Sequence, residues 1–272
     1  LPLTAVMSKQ LLPVYDKPMI FYPLSTLMLA GIRHVLIVTT SEDVNRFENL
    51  LGDGSKWGMS IEYAIQKSPD GIPQAITIGK SFIGKDPCTL ILGDNLFFGN
   101  ELQAHLKKAI DTLKGATVFG YPVKDPERYG VVEFDENEKV LSIEEKPNSP
   151  KSQIAVTGLY IYDNDVVDIA EGLSPSERGE LEISTLNQVY LNENKLNLEI
   201  FGRGMTWLDA GTPDSLVEAG EFVKVLQKRQ GLFIACLEEI AWRNGWISLD
   251  DLRVLAESYG NSDFRDYILN LI

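Results

Sequence analysis

The 272-residue sequence is poor in histidine and cysteine, with two of each: His34 and His105, Cys88 and Cys236. So few imidazoles leave a histidine-based acid–base mechanism little to work with. His34 opens a predicted strand and His105 falls mid-helix, so both read as structural. The cysteines lie far apart, with neither metal-ligand nor redox spacing, which points to the reducing cytoplasm. Long hydrophobic runs are also missing. None approaches the roughly 20 residues that span a bilayer, so no membrane is implied. Basic charge is in deficit, with 25 Lys and Arg against 39 Asp and Glu and a formal charge of −14. That balance argues against a nucleic-acid partner. An anionic substrate would instead need a few Lys and Arg converging locally on an otherwise acidic surface. What is present is 44% hydrophobic residues, enough to fill one large α/β domain or one domain with an appendage.

Along the chain, strands and helices alternate. A helix predicted to run to Leu29 ends at Ala30-Gly31, the usual glycine stop. Val35 to Thr40 is an unbroken apolar strand, the pattern of one buried on both faces. Ser41 is placed to cap a helix running to Leu51. A strand from Ile61 to Gln66, a helix from Pro73 to Lys80, and a strand from Thr89 to Leu92 follow. Next come a helix from Asn100 to Leu113 and a strand from Thr117 to Tyr121. This order is the signature of a parallel sheet with right-handed crossovers. The pattern then changes. Val131 to Phe134 and Val140 to Ile143 flank a polar turn, a hairpin, and Val156 to Tyr162 returns as a strand. Helices at 164–172 and 182–192, a strand at 196–201 and the short apolar piece Trp207-Leu208-Asp209 come next. Thr212-Pro213 opens a helix to Gln230, and from Cys236 onward the chain reads as a helical appendage.

Thr89 to Leu92 runs straight into Gly93, Asp94 and Asn95, at the strand end where open α/β sheets bind ligands. Gly93 would let a ligand approach the backbone. Asp94 would suit Mg²⁺, which takes one or two carboxylates and completes its shell with phosphate and water oxygens. The alternative is an Asp-Asn turn that merely ends a strand. Asp209 also follows a short apolar strand, and a folded sheet could bring the two acids to one edge. Lys9, Gln66 with Gly71, and Glu145-Lys146 likewise fall at predicted strand ends or in the loops after them. Two carboxylates on one Mg²⁺, with Lys9, Lys146 and Arg178 on phosphate oxygens, would make a phosphoryl- or nucleotidyl-transfer site. Such chemistry rests on positioning and charge neutralisation. Each residue also has a plainer reading. Lys9 and Lys146 could be solvated lysines, Glu144-Glu145-Lys146 a charged strand exit, Arg178 a turn residue, and Tyr160 and Trp207 core aromatics.

Taken together, several stretches resemble the sugar-nucleotide pyrophosphorylases, most closely their glucose-1-phosphate thymidylyltransferase branch. They are Ser8 to Met19, Ser68-Pro69-Asp70-Gly71, Leu92-Gly93-Asp94-Asn95, Asp125 to Val132, Glu144-Glu145-Lys146-Pro147, Val156 to Tyr160, Arg178 to Ile183 and Trp207 to Thr212. Glu238 to Arg243 resembles the C-terminal helical region of the same branch. The resemblance implies a Rossmann-like α/β fold, its mostly parallel (mixed) central sheet flanked by helices, with a hairpin-containing sugar-binding half. It implies a catalytic domain over residues 1–231 and the helical appendage over 232–272. It further implies that dTTP and α-D-glucose 1-phosphate give dTDP-glucose and pyrophosphate. Carried over by motif, Asp94 and Asp209 would bind Mg²⁺, Lys9 and Gln10 the nucleotide, and Gln66 and Gly71 the thymine edge. Lys146 and Arg178 would hold the sugar phosphate, with Asn95, Tyr129, Gly130, Glu145, Tyr160 and Trp207 around the sugar. A homotetramer, inhibition by a dTDP-sugar end product such as dTDP-rhamnose, and service to deoxysugar and cell-surface polysaccharide synthesis are implied in the same way.

One departure stands out. The family opens with a buried strand and a glycine-rich loop ending in Gly-Thr-Arg, which holds the triphosphate. Here the sequence begins at Leu1-Pro2-Leu3-Thr4, about where that loop finishes. The resemblance then implies an incomplete sequence or an inactive copy, and the intact remaining motifs favour the first. Two alternatives stand beside the main reading: a UTP-dependent uridylyltransferase and a non-catalytic regulatory protein that binds sugar nucleotides.

Overall fold

The computed structural model describes residues 2–176 and 178–272; Leu1 and Glu177 lie outside the described residues. In chain order the strands are β1 (Pro13–Val14), β2 (Lys17–Pro18), β3 (His34–Thr39), β4 (Ser60–Ile65), β5 (Cys88–Ile91) and β6 (Asn95–Phe98). They continue as β7 (Ala116–Pro122), β8 (Gly130–Phe134), β9 (Val140–Glu145), β10 (Ile154–Tyr162), β11 (Leu196–Ile200) and β12 (Thr206–Asp209). The helices are α1 (Phe21–Leu29), α2 (Val44–Leu51), α3 (Gln74–Ile78), α4 (Lys80–Ile83), α5 (Leu102–Asp111) and α6 (Val166–Glu171). After them come α7 (Ile183–Asn192), α8 (Pro213–Gln230), α9 (Leu237–Arg243), α10 (Leu249–Ser258) and α11 (Asp263–Asn270). These elements fall into two compact units. The first is built from Leu1–Tyr63, Gly93–Phe98 and Thr206–Ile272, the second from Ala64–Leu92 and Gly99–Met205.

In the first unit, α1 is buried from Tyr22 to Met28 and stops at Ala30, followed by Gly31 with φ +82°. That left-handed residue is where glycine costs least. β3 alternates, with Val35, Ile37 and Thr39 buried and the residues between them less so, rather than being buried on both faces. β6 and β12 form an antiparallel ribbon that sends Leu96 into the same core as Met19, Tyr22 and Val223. β6 was not expected, since the sequence read as a strand end at Asp94. The expected cap at Ser41 also shifts, because α2 starts at Val44 and the carboxylate of Asp43 is used elsewhere. α8 carries a full capping box between Thr212 and Ser215 and ends at Gly231 with φ +67°. The C-terminal helices α9, α10 and α11 belong to this unit. Glu238 at the start of α9 is fully buried, accepting hydrogen bonds from Trp57 Nε1 (2.9 Å) and the Tyr259 hydroxyl (2.5 Å).

The second unit holds a six-stranded sheet in the order β11-β7-β10-β8-β9, with β5 also paired to β10. β10 is antiparallel to β5, β7 and β8, β9 is antiparallel to β8, and β11 is parallel to β7. Four strands (β5, β7, β8 and β11) therefore share one direction and β9 and β10 oppose them. The sheet is mixed, and its codirectional majority is split by β10. Its core includes Val118, Leu186 and a stack of tyrosines. Tyr160 lies 6.0 Å from Tyr162, which lies 5.7 Å from Tyr190, centroid to centroid. Each such ring contributes about 1.5–3 kcal/mol by leaving water.

Candidate active site

The sequence-predicted residues gather in two clusters, one in each unit. In the first unit, Ser8 is tied to Asp43 Oδ2 through both its backbone N–H (2.8 Å) and its hydroxyl (2.5 Å). Burial alone would raise the Asp43 carboxyl. Hydrogen bonds from Ser8 and the Arg46 guanidinium outweigh that and hold it below the usual carboxylate range. This anchor fixes the short 3₁₀ turn at Lys9–Leu11. From it, Lys9 Nζ donates to Asp94 Oδ2 at 2.5 Å, both side chains being partly buried. The space expected to admit a ligand at Gly93 is filled by Gln10. A Cβ on Gly93 would lie 2.6 Å from Gln10 Cγ.

Asp94 is followed directly by β6, whose first residue, Asn95, is paired with Asp209 at the end of β12. The Ala210 N–H donates to the Asp94 carbonyl at 2.9 Å, so both aspartates sit at the same end of one ribbon. Asn95 donates through Nδ2 to Asp94 Oδ1 (2.9 Å) and accepts from Trp207 Nε1 (2.6 Å). Trp207 and Asn95 are buried, and a buried hydrogen bond of this kind contributes about 0.5–1.5 kcal/mol net. The indole thus sets the orientation of an amide that steadies the Asp94 carboxylate. Two carboxylates at one ribbon end, beside an ammonium, are a donor set that suits a hard divalent cation.

In the second unit, Glu145 closes β9 opposite Gly130, and a Cβ on Gly130 would lie 3.4 Å from Glu145 Oε2. Lys146 leaves the strand with φ +44°, its N–H donating to the Tyr129 carbonyl at 3.0 Å. A left-handed lysine costs about 1–3 kcal/mol, and here it turns the chain abruptly while leaving the lysine exposed. Burial raises the Glu145 carboxyl. The nearby Lys146 and Arg178 oppose that rise, and Glu182 adds to it. Ser176 Oγ donates to Glu182 Oε1 (2.9 Å), and the Arg178 guanidinium approaches the same oxygen at 3.7 Å. Tyr160 is 4% exposed, its hydroxyl pushed up by burial and then by the charge of Glu145. It stands on the core side of this cluster.

Gly71 joins that cluster to the 66–74 loop. It forms a parallel bridge with Leu181, and the Leu181 N–H donates to the Asp70 carbonyl at 2.7 Å. Gly71 has φ +118°, and a Cβ there would lie 2.1 Å from the Leu181 carbonyl oxygen, so glycine is required. Gln66 donates to Gln74 Oε1 at 2.5 Å. Sequence reasoning did not single out Asp43, Gln74 or Glu182 as site residues. Gln74 and Glu182 act on chosen residues through a hydrogen bond or charge, and Asp43 anchors Ser8 beside Lys9.

The family model of the nucleotidyl transferases matches residues 1–225. The chain belongs to the nucleotidyl transferase family. Among curated relatives, this nucleotidyl transferase is 58% identical to the glucose-1-phosphate thymidylyltransferase of Neisseria meningitidis serogroup A, over 100% of this chain and 94% of the relative. It is 51% identical to the enzyme of the same name from Mycobacterium tuberculosis, again over 100% and 94%. Among solved structures, it is similar to a Bacillus anthracis protein assigned as a glucose-1-phosphate thymidylyltransferase and crystallised with sucrose. That match has 38% identity, a TM-score of 0.75, and coverage of 81% of this chain and 88% of the other. A UDP-glucose pyrophosphorylase solved with UDP-glucose shares the fold at 24% identity, with a TM-score of 0.71 over 83% and 93% of the two chains. This nucleotidyl transferase therefore has the α/β fold of that group, with helices flanking a mixed sheet.

Proposed function

We propose that this nucleotidyl transferase makes dTDP-glucose and pyrophosphate from dTTP and α-D-glucose 1-phosphate. The observation that carries the reading is the Lys9–Asp94 pair at the ribbon end that also bears Asp209, in a chain whose curated relatives match it from end to end. A phosphate oxygen of the sugar phosphate attacks the α-phosphorus of dTTP in line, and pyrophosphate leaves opposite. Asp94 and Asp209 would hold Mg²⁺, which when bound would neutralise charge developing on the phosphates. An ammonium has three donors, so Lys9 keeps two for nucleotide phosphate oxygens while steadying Asp94; Gln10 lies beside it. Lys146 and Arg178 neutralise the sugar phosphate, and Gln66 and Gly71 face the thymine edge. Tyr129, Gly130, Glu145 and Tyr160 shape the sugar site, and Asn95 and Trp207 steady Asp94 in the ribbon. The half-buried Glu145 accepts from sugar hydroxyls.

The proposal includes a catalytic domain over 1–231 with a helical appendage, a cytoplasmic homotetramer, and a dTDP-sugar effector. It places the product in deoxysugar and cell-surface polysaccharide synthesis. Support comes from the motif resemblance, the two widely separated cysteines, and the finding that no helix among the described residues is long and apolar enough to cross a membrane. The test is pyrophosphate release by the full-length protein with glucose 1-phosphate and Mg²⁺. Turnover with dTTP at a higher kcat/KM than with UTP is expected. Equal values would overturn the thymidylyl assignment, and a folded protein inactive with every nucleoside triphosphate would overturn the enzyme.

A further inference from the structure

We propose that Gln74, locked by Asp70, fixes which end of the Gln66 amide faces the base, so that the site accepts thymine and rejects cytosine. The inference rests on the reading of Gln66 as a base contact and adds the residues that orient it. An amide side chain can turn end for end, exchanging donor for acceptor. Gln74 cannot do so. Its Nε2 donates to Asp70 Oδ2 at 2.7 Å, and its Oε1 accepts from the Asp70 peptide N–H at 3.2 Å. An ionised carboxylate only accepts and a peptide N–H only donates. Turning Gln74 over would set oxygen against oxygen and N–H against N–H. The carboxylate is held in turn by the Ser68 hydroxyl at 2.6 Å, and the Asp70 carbonyl by the Leu181 N–H at 2.7 Å.

With Gln74 fixed, its Oε1 demands a donor from Gln66, and Gln66 Nε2 supplies one at 2.5 Å. Polarity passes from Asp70 through Gln74 to Gln66. Gln66 then has one remaining N–H and its Oε1 to present. Thymine offers the complement, a carbonyl acceptor beside the N3–H donor. Cytosine inverts the pair, with an N4 amino donor beside an N3 acceptor, and would require Gln66 to turn over against Gln74 Oε1. Gln66 and Gln74 are half-buried and Asp70 is exposed, so losing the matched hydrogen bond disfavours the wrong base by about 2–12-fold. Uracil shares the thymine pattern, so this device leaves dTTP and UTP undivided.

The experiment measures kcat/KM for dTTP, UTP and dCTP, each with glucose 1-phosphate, in the full-length protein and its variants. Gln74→Leu is expected to narrow the dTTP-to-dCTP ratio by about 2–12-fold, through KM, with kcat for dTTP nearly unchanged. Gln74→Glu, which sets two carboxylates face to face, is expected to narrow it too. Adding Asp70→Asn to Gln74→Glu restores a donor at 70 and an acceptor at 74, and the ratio is expected to recover. A purely structural role for Gln74 would change kcat/KM for dTTP and dCTP together and leave their ratio unmoved in every variant. If Gln74→Leu keeps the wild-type ratio while Gln66→Leu collapses it, the inference is overturned and the base-contact reading stands. If Gln66→Leu also keeps the ratio, the base-contact reading fails and takes the inference with it. Circular dichroism confirms that each variant folds.

Discussion

The close approach at Gly71 sets up a quantitative test. In Gly71→Ala the new Cβ would meet the Leu181 carbonyl oxygen at 2.1 Å and the Leu181 nitrogen at 2.7 Å, both backbone atoms that no rotamer change can move. Gly231 provides the control, because its φ is +67° and nothing lies within 4 Å of the added carbon. Gly231→Ala should therefore cost only the left-handed backbone term, about 1–2 kcal/mol. Gly71→Ala should cost about 2–4 kcal/mol, since the Leu181 to Asp70 hydrogen bond must open as well. Urea unfolding gives both losses, and hydrogen exchange at the Leu181 amide reports the bridge itself. The KM values for dTTP and glucose 1-phosphate should rise together in Gly71→Ala, because one bridge holds the base loop and the Arg178 loop. Equal stability losses in the two variants, with the Leu181 amide still protected, would refute the steric argument.

Other consequences are open to direct measurement. Lys9→Met removes an ammonium from the nucleotide phosphates and the partner of Asp94, and should lower kcat/KM by about 10²–10³-fold with the circular dichroism spectrum unchanged. Burial raises the Glu145 carboxyl in the folded state. Its contribution to stability is therefore full below the ordinary glutamate range and is lost as pH rises through the raised value; urea midpoints in Glu145→Gln should lose that downward slope. Burial and then Asp163 push the Cys88 thiol up to about 12, and burial raises Cys236 well above the ordinary thiol range. Native protein at mildly alkaline pH should resist iodoacetamide at both cysteines, as read by mass spectrometry, and react on unfolding.

Period and punctuation carried much of the fold. The apolar run at 35–40, the hairpin around 135–138, the glycine stop at 31 and the Thr212-Pro213 helix start all predicted elements close to those found. Less local features were hidden. β6 spans four residues, and the Asp94-Asn95 pair at its start looks like an ordinary turn. Its strand character comes from β12, across more than a hundred residues, and no window of sequence shows that pairing. The direction of β10 was equally illegible, because an apolar strand reads the same either way. In the candidate site, motif spacing picked out Lys9, Asp94, Asp209, Glu145 and Arg178. Asp43, Gln74 and Glu182 escaped notice because orienting a neighbour leaves no pattern of its own. Gly93 was noticed for the wrong contact, since a side chain nine residues into the chain could not be placed against it beforehand.

The ribbon of β6 and β12 also imposes an order on synthesis. Asn95 leaves the ribosome 112 residues ahead of Trp207, to which it is hydrogen-bonded in the finished protein. By then every strand of the six-stranded sheet has already been made. Throughout that interval Leu96 and Phe97, nearly inaccessible once folded, wait without their partner strand. A chain stopped short of Thr206 therefore keeps a sticky, unpaired edge next to the Lys9–Asp94 pair, and is a natural client for chaperones or a seed for aggregation.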